Sequence, residues 1–377
     1  MRIRNGLSRK TWAMQAYIAG DNNLSDSGLE DIDEMCQVGV SKDVHAAVEI
    51  DTYGEHTGSI RYEITEPDGS DGAFRTVIER LPERDTGSPT TLSDFLKWGM
   101  ASYPAERRLA VIWNHGAGFR TARRDIAYDD FGTALDMPAL ALALRTAGLG
   151  PGRKLSILGF DACLMNMLEV ANHFVDFAEI VVGSQELEPG DGWPYDKVLA
   201  AMKGRPAPRA LAARIVDLYI ADYKSRREAN VTQSAIDLVA TEAVAKSLGE
   251  LGKRIVAIGN AAAKQAMRKV RLDVQAFDVT NNDYNDYVDL RDAMALVQRH
   301  SGDAKAAALA AAVDRAADKS ILHAGIYGAQ VARATGLSFW FPIDRQTYAQ
   351  FRTKYKALRA VAKYPGWLRF LDWYHAA

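Results

Sequence analysis

The chain has 377 residues, 48% hydrophobic and 25% charged, with 46 basic against 48 acidic side chains and a formal net charge of −2. That balance argues against a general nucleic-acid binder, which carries a basic excess, and no apolar run approaches the roughly 20 residues that span a bilayer. Two cysteines, Cys36 and Cys163, supply neither a disulfide framework nor a cysteine-rich zinc site.

The first segment, MRIRNGLSRKTW, is basic but lacks the apolar stretch of a secretory signal. A cytoplasmic protein is expected, unless a leader has been removed. Trp12 to Ala19 reads as a buried strand closed by the turn Gly20-Asp21-Asn22-Asn23. A helix from about Ser25 to Gln37 places Leu29, Ile32, Met35 and Cys36 on one face, which makes Cys36 a core residue. Val44 to Ile50 is a second buried strand. Ser59 to Thr65 and Phe74 to Leu81, split by Pro67-Asp68-Gly69, read as a hairpin. A helix covers Leu92 to Tyr103. The strand Leu109 to Trp113 then ends at Asn114-His115-Gly116, and a polar, arginine-rich loop runs from Phe119 to Asp130. Met137 to Ala147 is helical.

Leu155 to Phe160 is again an apolar strand, and Leu164, Met167, Leu168 and Ala171 follow at helical spacing. The expected helix starts at Cys163, where its dipole and free N–H groups would favour a thiolate. The strand Ile180 to Ser184 leads into an acidic, turn-rich loop, Gln185 to Tyr195. Pro208 to about Val270 is mostly helical, with a strand near Ser234 to Leu238. After a polar, aromatic loop from Asp283 to Tyr287 come helices over Val288 to His300 and Ala304 to Ala317. Late strands, Ile321 to Val331 and Gly336 to Phe341, precede the last helices. Helices alternating with continuous apolar strands predict an α/β fold, a mainly parallel sheet covered by helices on both faces. Residues 1–205 read as the core. Residues 206–377 read as a mostly helical C-terminal part, with late strands, packed on that core.

His115 and Cys163 end consecutive strands of this reading. If those strands are neighbours, both side chains emerge at the carboxyl edge of the sheet, where open parallel sheets bind ligands. A cysteine–histidine pair makes a nucleophile with a general acid for the leaving group. The N–H groups of Gly116 and Cys163 are candidates for an oxyanion hole. Taken singly, each residue also has a plain reading: a small core cysteine and a turn histidine. No third residue orienting His115 is evident.

The chain resembles the clostripain family of cysteine peptidases, relatives of the caspases. The matching segments run nearly end to end: AGDNNL (Ala19 to Leu24), NHGAG around His115, DACLM around Cys163, SQELEPGDGW (Ser184 to Trp193), YVDL (Tyr287 to Leu290) and GLSFWFP (Gly336 to Pro342). The resemblance implies a caspase-like sandwich, with Cys163 as nucleophile and His115 as its partner. It also implies protein substrates cut after Arg or Lys. Asp161, two residues before Cys163, can pair with such a side chain in a pocket beside the nucleophile, or it caps the following helix. Glu186, Glu188 and Asp191 are further acids in the loop after the next strand; of these Glu186 and Asp191 are put forward for substrate binding. Trp193 either walls the pocket or anchors the loop.

Members of the resembled family are commonly made as precursors and cut in the region after the histidine. Arg120, Arg123 and Arg124 are therefore candidate processing sites, for self-cleavage or for an upstream activating protease. Calcium activates some members. Asp129-Asp130, Asp191 and Asp283 with Asn281, Asn282 and Asn285 are oxygen-rich, but none has EF-hand spacing, and no required metal or other cofactor is expected. Neither nucleic acid nor membrane is expected as a partner. The competing reading is a non-catalytic scaffold or pseudopeptidase on the same fold. A nucleotide-binding protein is disfavoured, since neither GxGxxG nor GxxxxGK[ST] follows any predicted strand.

Overall fold

The structure is a computed structural model that describes residues 6–54, 58–67, 74–120, 126–278 and 283–376. In chain order the elements are β1 (Lys10–Gly20), α1 (Ser25–Val38), β2 (Val44–Thr52), β3 (Ile60–Ile64), β4 (Arg75–Arg80), α2 (Pro89–Ser102), β5 (Ala105–Trp113), α3 (Met137–Thr146), β6 (Leu155–Asp161), α4 (Leu168–His173), β7 (Ala178–Gly183) and α5 (Tyr195–Met202). There follow α6 (Pro208–Arg226), β8 (Val231–Asp237), α7 (Thr241–Ile258), α8 (Ala261–Asp273), β9 (Tyr287–Asp289), α9 (Leu290–His300), α10 (Ala304–Ser320), β10 (Ile321–Tyr327), β11 (Ser338–Trp340), α11 (Arg345–Ala357), α12 (Arg359–Lys363) and α13 (Gly366–His375).

Nine strands form one sheet in the order β10-β8-β7-β6-β5-β1-β2-β3-β4. The central five, β7-β6-β5-β1-β2, run parallel. The outer pairings, including β8 on β7 and β3 on β2, are antiparallel. β9 and β11 make a separate two-stranded sheet. The sheet thus takes strands from both sides of residue 205, because β8 and β10 extend it beyond β7.

Strand side chains alternate between two apolar layers. Trp12, Met14, Ala16 and Ile18 of β1 enter one layer, with Leu109, Val111 and Trp113 of β5 and residues of α1, α5 and α6. Ala13 and Tyr17, with Ala110 and Ile112, enter the other layer under α2, α3, α4 and α7. Helices therefore cover both faces, which explains why the central strands are apolar without a break. Local signals set several helix starts. Ser88 accepts from the Thr90 N–H with Pro89 in the first turn, and Asp136 and Asp303 cap α3 and α10. Among the described residues no helix is long and apolar enough to cross a membrane.

Candidate active site

The β5–β6 register decides the geometry. Trp113 pairs with Asp161 in parallel, and the Asn114 N–H donates to the Asp161 carbonyl at 3.2 Å. His115 and Cys163, each two residues further on, leave the sheet level with each other, on strands about 4.8 Å apart. Both line one cavity of about 100 Å³, together with Leu24, Trp113, Asp161 and Glu188. Gly116 is needed here because the two chains touch. A Cβ at Gly116 would lie 2.2 Å from the Cys163 carbonyl oxygen and 2.9 Å from its nitrogen.

His115 is held from the neighbouring strand. Ile18 of β1 pairs with Trp113, so the Asp21-Asn22-Asn23 turn lies beside the histidine. Asn22 Nδ2 donates to the carbonyls of Ala19 and Tyr128, both at 2.9 Å, and Asn114 Nδ2 donates to the same two, at 2.5 and 3.0 Å. Asn114 Oδ1 accepts the His115 backbone N–H. Asn23 Oδ1 stands 2.9 Å from His115 Nε2. An amide oxygen only accepts, so Nε2 is the donor in this contact. Asn23 is the orienting residue the sequence reading did not find. The AGDNNL turn marked its place at the end of β1, but not its partner.

The expected helix at Cys163 is not there. The chain after Cys163 runs beside the end of β7 instead: Leu164 N–H donates to Glu186 O at 3.1 Å and Asn166 N–H to Ser184 O at 2.8 Å. Asn166 Nδ2 reaches the carbonyls of Gly183 (3.0 Å) and Ser234 (2.9 Å), and Leu164 turns through φ +63°. These bonds capture the backbone that a helix would use, and α4 begins only at Leu168. The dipole of α4 therefore does not act on Cys163. Burial pushes its thiol up to about 11; the Glu188 N–H opposes that shift, and nearby Glu186 and Asp161 add to it. The sulfur is clasped by one residue: the Glu188 N–H lies 3.2 Å from Sγ, and Sγ lies 3.7 Å from the Glu188 carbonyl.

Asp161 caps nothing. Its Oδ2 accepts from the Trp193 N–H at 3.1 Å and the Tyr195 hydroxyl at 2.8 Å. Burial pushes this carboxyl up to about 6, against hydrogen bonds from Glu188, Tyr195 and Trp193 that pull it down. Gly192, at φ +56°, lets the loop pass close by: a Cβ there would sit 2.9 Å from Oδ2.

The loop acids sort differently from expectation. Glu186 is buried away from the cavity, where its Oε1 takes the N–H groups of Leu187 and Asp278, each at 2.8 Å. Asp191 is ion-paired with Arg226 on α6, and it too is outside the cavity lining. The acid that enters the cavity is Glu188. Loop path, which charge counting does not show, makes that choice. Trp193 is fully buried, its ring against Gly159, so it anchors the loop rather than walling the cavity.

Arg120, one processing candidate, is held down. Its guanidinium pairs with buried Asp286, donates to Asp283 O at 3.0 Å, and lies 4.2 Å from the Phe351 ring centre. The side chain is thus engaged on the protein itself. Arg123 and Arg124 lie outside the described residues, as do Asn281 and Asn282. Of the oxygen-rich loops, Asp129 and Asp130 meet Asp21, with carboxylate oxygens within 4.8 Å of one another. Asp129 Oδ2 is already engaged by the N–H and hydroxyl of Thr86, at 2.7 and 2.6 Å. Burial and a hydrogen bond with Asp130 push Asp21 up to about 8.

A thiol and an imidazole at the carboxyl edge of a parallel sheet, over an acidic cavity, define the class: an α/β protein with a cysteine-peptidase site. The clostripain family model matches residues 16–374, and the chain belongs to that family of cysteine peptidases. Clostripain of Hathewaya histolytica is 27% identical over 217 residues, which is 50% of this chain and 41% of that protein; the match thus spans less than half of the relative. Two solved structures share the fold. An inactive zymogen C11 protease from Parabacteroides distasonis superposes with TM-score 0.74 at 20% identity, covering 95% of this chain and 99% of the other. A secreted C11 cysteine protease from Bacteroides thetaiotaomicron, bound to an irreversible peptide inhibitor, gives 0.69 at 20% identity, with 92% and 99% covered.

Proposed function

We propose that the protein is a cysteine endopeptidase that cuts proteins after Arg or Lys. The observation that carries the reading is that His115, Cys163, Asp161 and Glu188 all line one cavity. His115 Nδ1 takes the thiol proton, and the sulfur attacks the scissile carbonyl. The N–H groups of Gly116 and Cys163 receive the developing oxyanion. Collapse leaves an acyl-enzyme on Cys163 while His115 protonates the departing amine, and water then releases the acid. The carboxyls of Asp161 and Glu188 select a cationic side chain. No metal enters this scheme, so EDTA is expected to leave the rate unchanged.

The test is a peptide-library digest with wild type, Cys163→Ala and Asp161→Ala. Wild type is expected to cut after Arg and Lys, Cys163→Ala nowhere, and Asp161→Ala with a strong loss of preference. Cutting after neutral residues by wild type overturns the pocket, and activity in Cys163→Ala overturns the mechanism. The same reading includes a precursor opened by cleavage in the loop after His115, at Arg123 or Arg124, either by the enzyme itself or by an upstream protease. Two fragments from wild type and a single chain from Cys163→Ala on a denaturing gel support self-processing.

A further inference from the structure

His115 and Gly116 belong to a short arm, residues 114–120, that leaves β5 and ends on the C-terminal part. Its near end is fixed by Asn114 on the carbonyls of Ala19 and Tyr128. Its far end has a separate mooring. The Tyr287 hydroxyl donates to Ala117 O at 2.6 Å and accepts the Arg120 N–H at 3.3 Å. Phe119 is buried, its ring centre 5.3 Å from those of Trp340 and Tyr355. Gly118, at φ +61°, brings the backbone onto the same surface. A Cβ there would lie 2.5 Å from Met167 Sδ and 2.9 Å from the Tyr287 ring.

Arg120 closes this mooring. Its guanidinium pairs with Asp286 and donates to Asp283 O at 3.0 Å, with the ring centres of Phe351 and Tyr284 at 4.2 and 4.8 Å. Only 11% of the Arg120 side chain and 3% of that of Asp286 are exposed. Asp286 is itself held: its other oxygen accepts from Trp340 Nε1, and its carbonyl takes the Phe341 N–H at 2.9 Å. A buried ion pair adds little net stability over an apolar contact of similar size. What it adds is direction, because a guanidinium satisfied by a carboxylate and a carbonyl has one geometry. Phe119 alone would seat the arm without fixing its position.

We propose that Arg120 is a positioning residue for the peptidase reaction: by fixing the far end of the arm on Asp286, it holds His115 and the Gly116 N–H in register with Cys163. This rests on the roles given above to His115 and Cys163. The C-terminal part then helps to build the site from outside the cavity, since among the described residues none of its own lines it. A cut after Arg123 or Arg124 leaves Arg120 with His115 on one fragment and Asp286 on the other. The β5–β6 pairing keeps the fragments together, and the ion pair holds the loose end of the arm.

Steady-state kinetics on whichever peptide wild type cleaves fastest test this. The proteins are compared with the loop in one state, cut or uncut, as read on a denaturing gel. Arg120→Met is expected to lower kcat about ten- to a hundredfold, the cost of a misplaced catalytic group, with KM changed by less than about twofold. Arg120→Lys, which keeps a cation on Asp286, is expected to recover most of that loss. Arg120→Met combined with Asp286→Asn leaves no buried charge unpaired and keeps an acceptor for Trp340. This double variant is expected to melt with wild type and to lose kcat as Arg120→Met does. Wild-type kcat in the double variant overturns the positioning role, whatever the single variant does, because the pair then matters only to the fold. A rise in KM with kcat intact overturns it as well. A wild type that cleaves no peptide, or a Cys163→Ala protein that does, overturns the site assignment instead.

Discussion

Asn23 Oδ1 lies 2.9 Å from Nε2 of His115, across the β1–β5 boundary of the sheet. It holds the imidazole from the neighbouring strand end. Asn23→Ala is expected to lower kcat roughly five- to tenfold, the equivalent of one hydrogen bond of about 1 kcal/mol. KM should change little, because Asn23 is not in the cavity lining. Steady-state kinetics at several pH values check this, and a pure KM effect would place Asn23 in substrate binding instead.

Gly116→Ala forces a methyl group against the Cys163 main chain, 2.2 Å from its carbonyl oxygen. Both chains are tied down close by, through Asn114 N–H on Asp161 O and Leu164 N–H on Glu186 O, so neither gives way cheaply. The expected cost is about 1–3 kcal/mol of stability, with activity lost by more than the fold itself. Thermal melts beside peptide-cleavage rates separate the two. A fully active variant would show that the two strand ends sit farther apart.

Processing should spare Arg120. Its ion pair with Asp286 and its contact with Phe351 must both break before a protease can take it. Terminal sequencing of the processed protein is expected to find a new N-terminus at Arg124 or Asp125, and none at Thr121. In Asp286→Asn, which removes the partner's charge, cutting after Arg120 should become detectable.

Glu169 on α4 ties that helix to the C-terminal part: its Oε1 takes the Trp340 N–H at 3.1 Å and the Tyr355 hydroxyl at 2.9 Å. Burial pushes its carboxyl up to about 7. A carboxyl raised in the folded state binds its proton more tightly there than in the unfolded chain. Its share of stability is therefore complete below the unfolded value near 4.3 and is lost as pH rises toward 7. That share is ~4 kcal/mol, at one pKa unit per ~1.4 kcal/mol. Glu169→Gln is expected to flatten the fall in stability between pH 5 and pH 8, measured by denaturant unfolding. An unchanged slope would mean other buried acids carry it.

The parallel core was legible because its information is local. Unbroken apolar runs such as Leu109 to Trp113 can only be strands covered on both sides, and the strand–helix alternation leaves few topologies. His115 and Cys163 were legible for the same reason: each directly follows such a run, so the register that aligns Trp113 with Asp161 brings them together. The helix expected at Cys163 failed because spacing is blind to competitors. Asn166 spends its side chain on Ser234, 68 positions away, and the backbone follows.

The sequence by itself therefore determined the parallel core of the sheet and the placing of Cys163, His115 and several acids at its carboxyl edge. Only the tertiary structure decided which acid faces the cavity. Glu186 is drawn off by Asp278, 92 positions on, and Asp191 by Arg226, 35 positions on, leaving Glu188 beside Asp161 and the sulfur. Hydrophobic periodicity is written along the chain, whereas the partner of a polar side chain is set by whichever distant donor or cation the fold brings within about 3 Å.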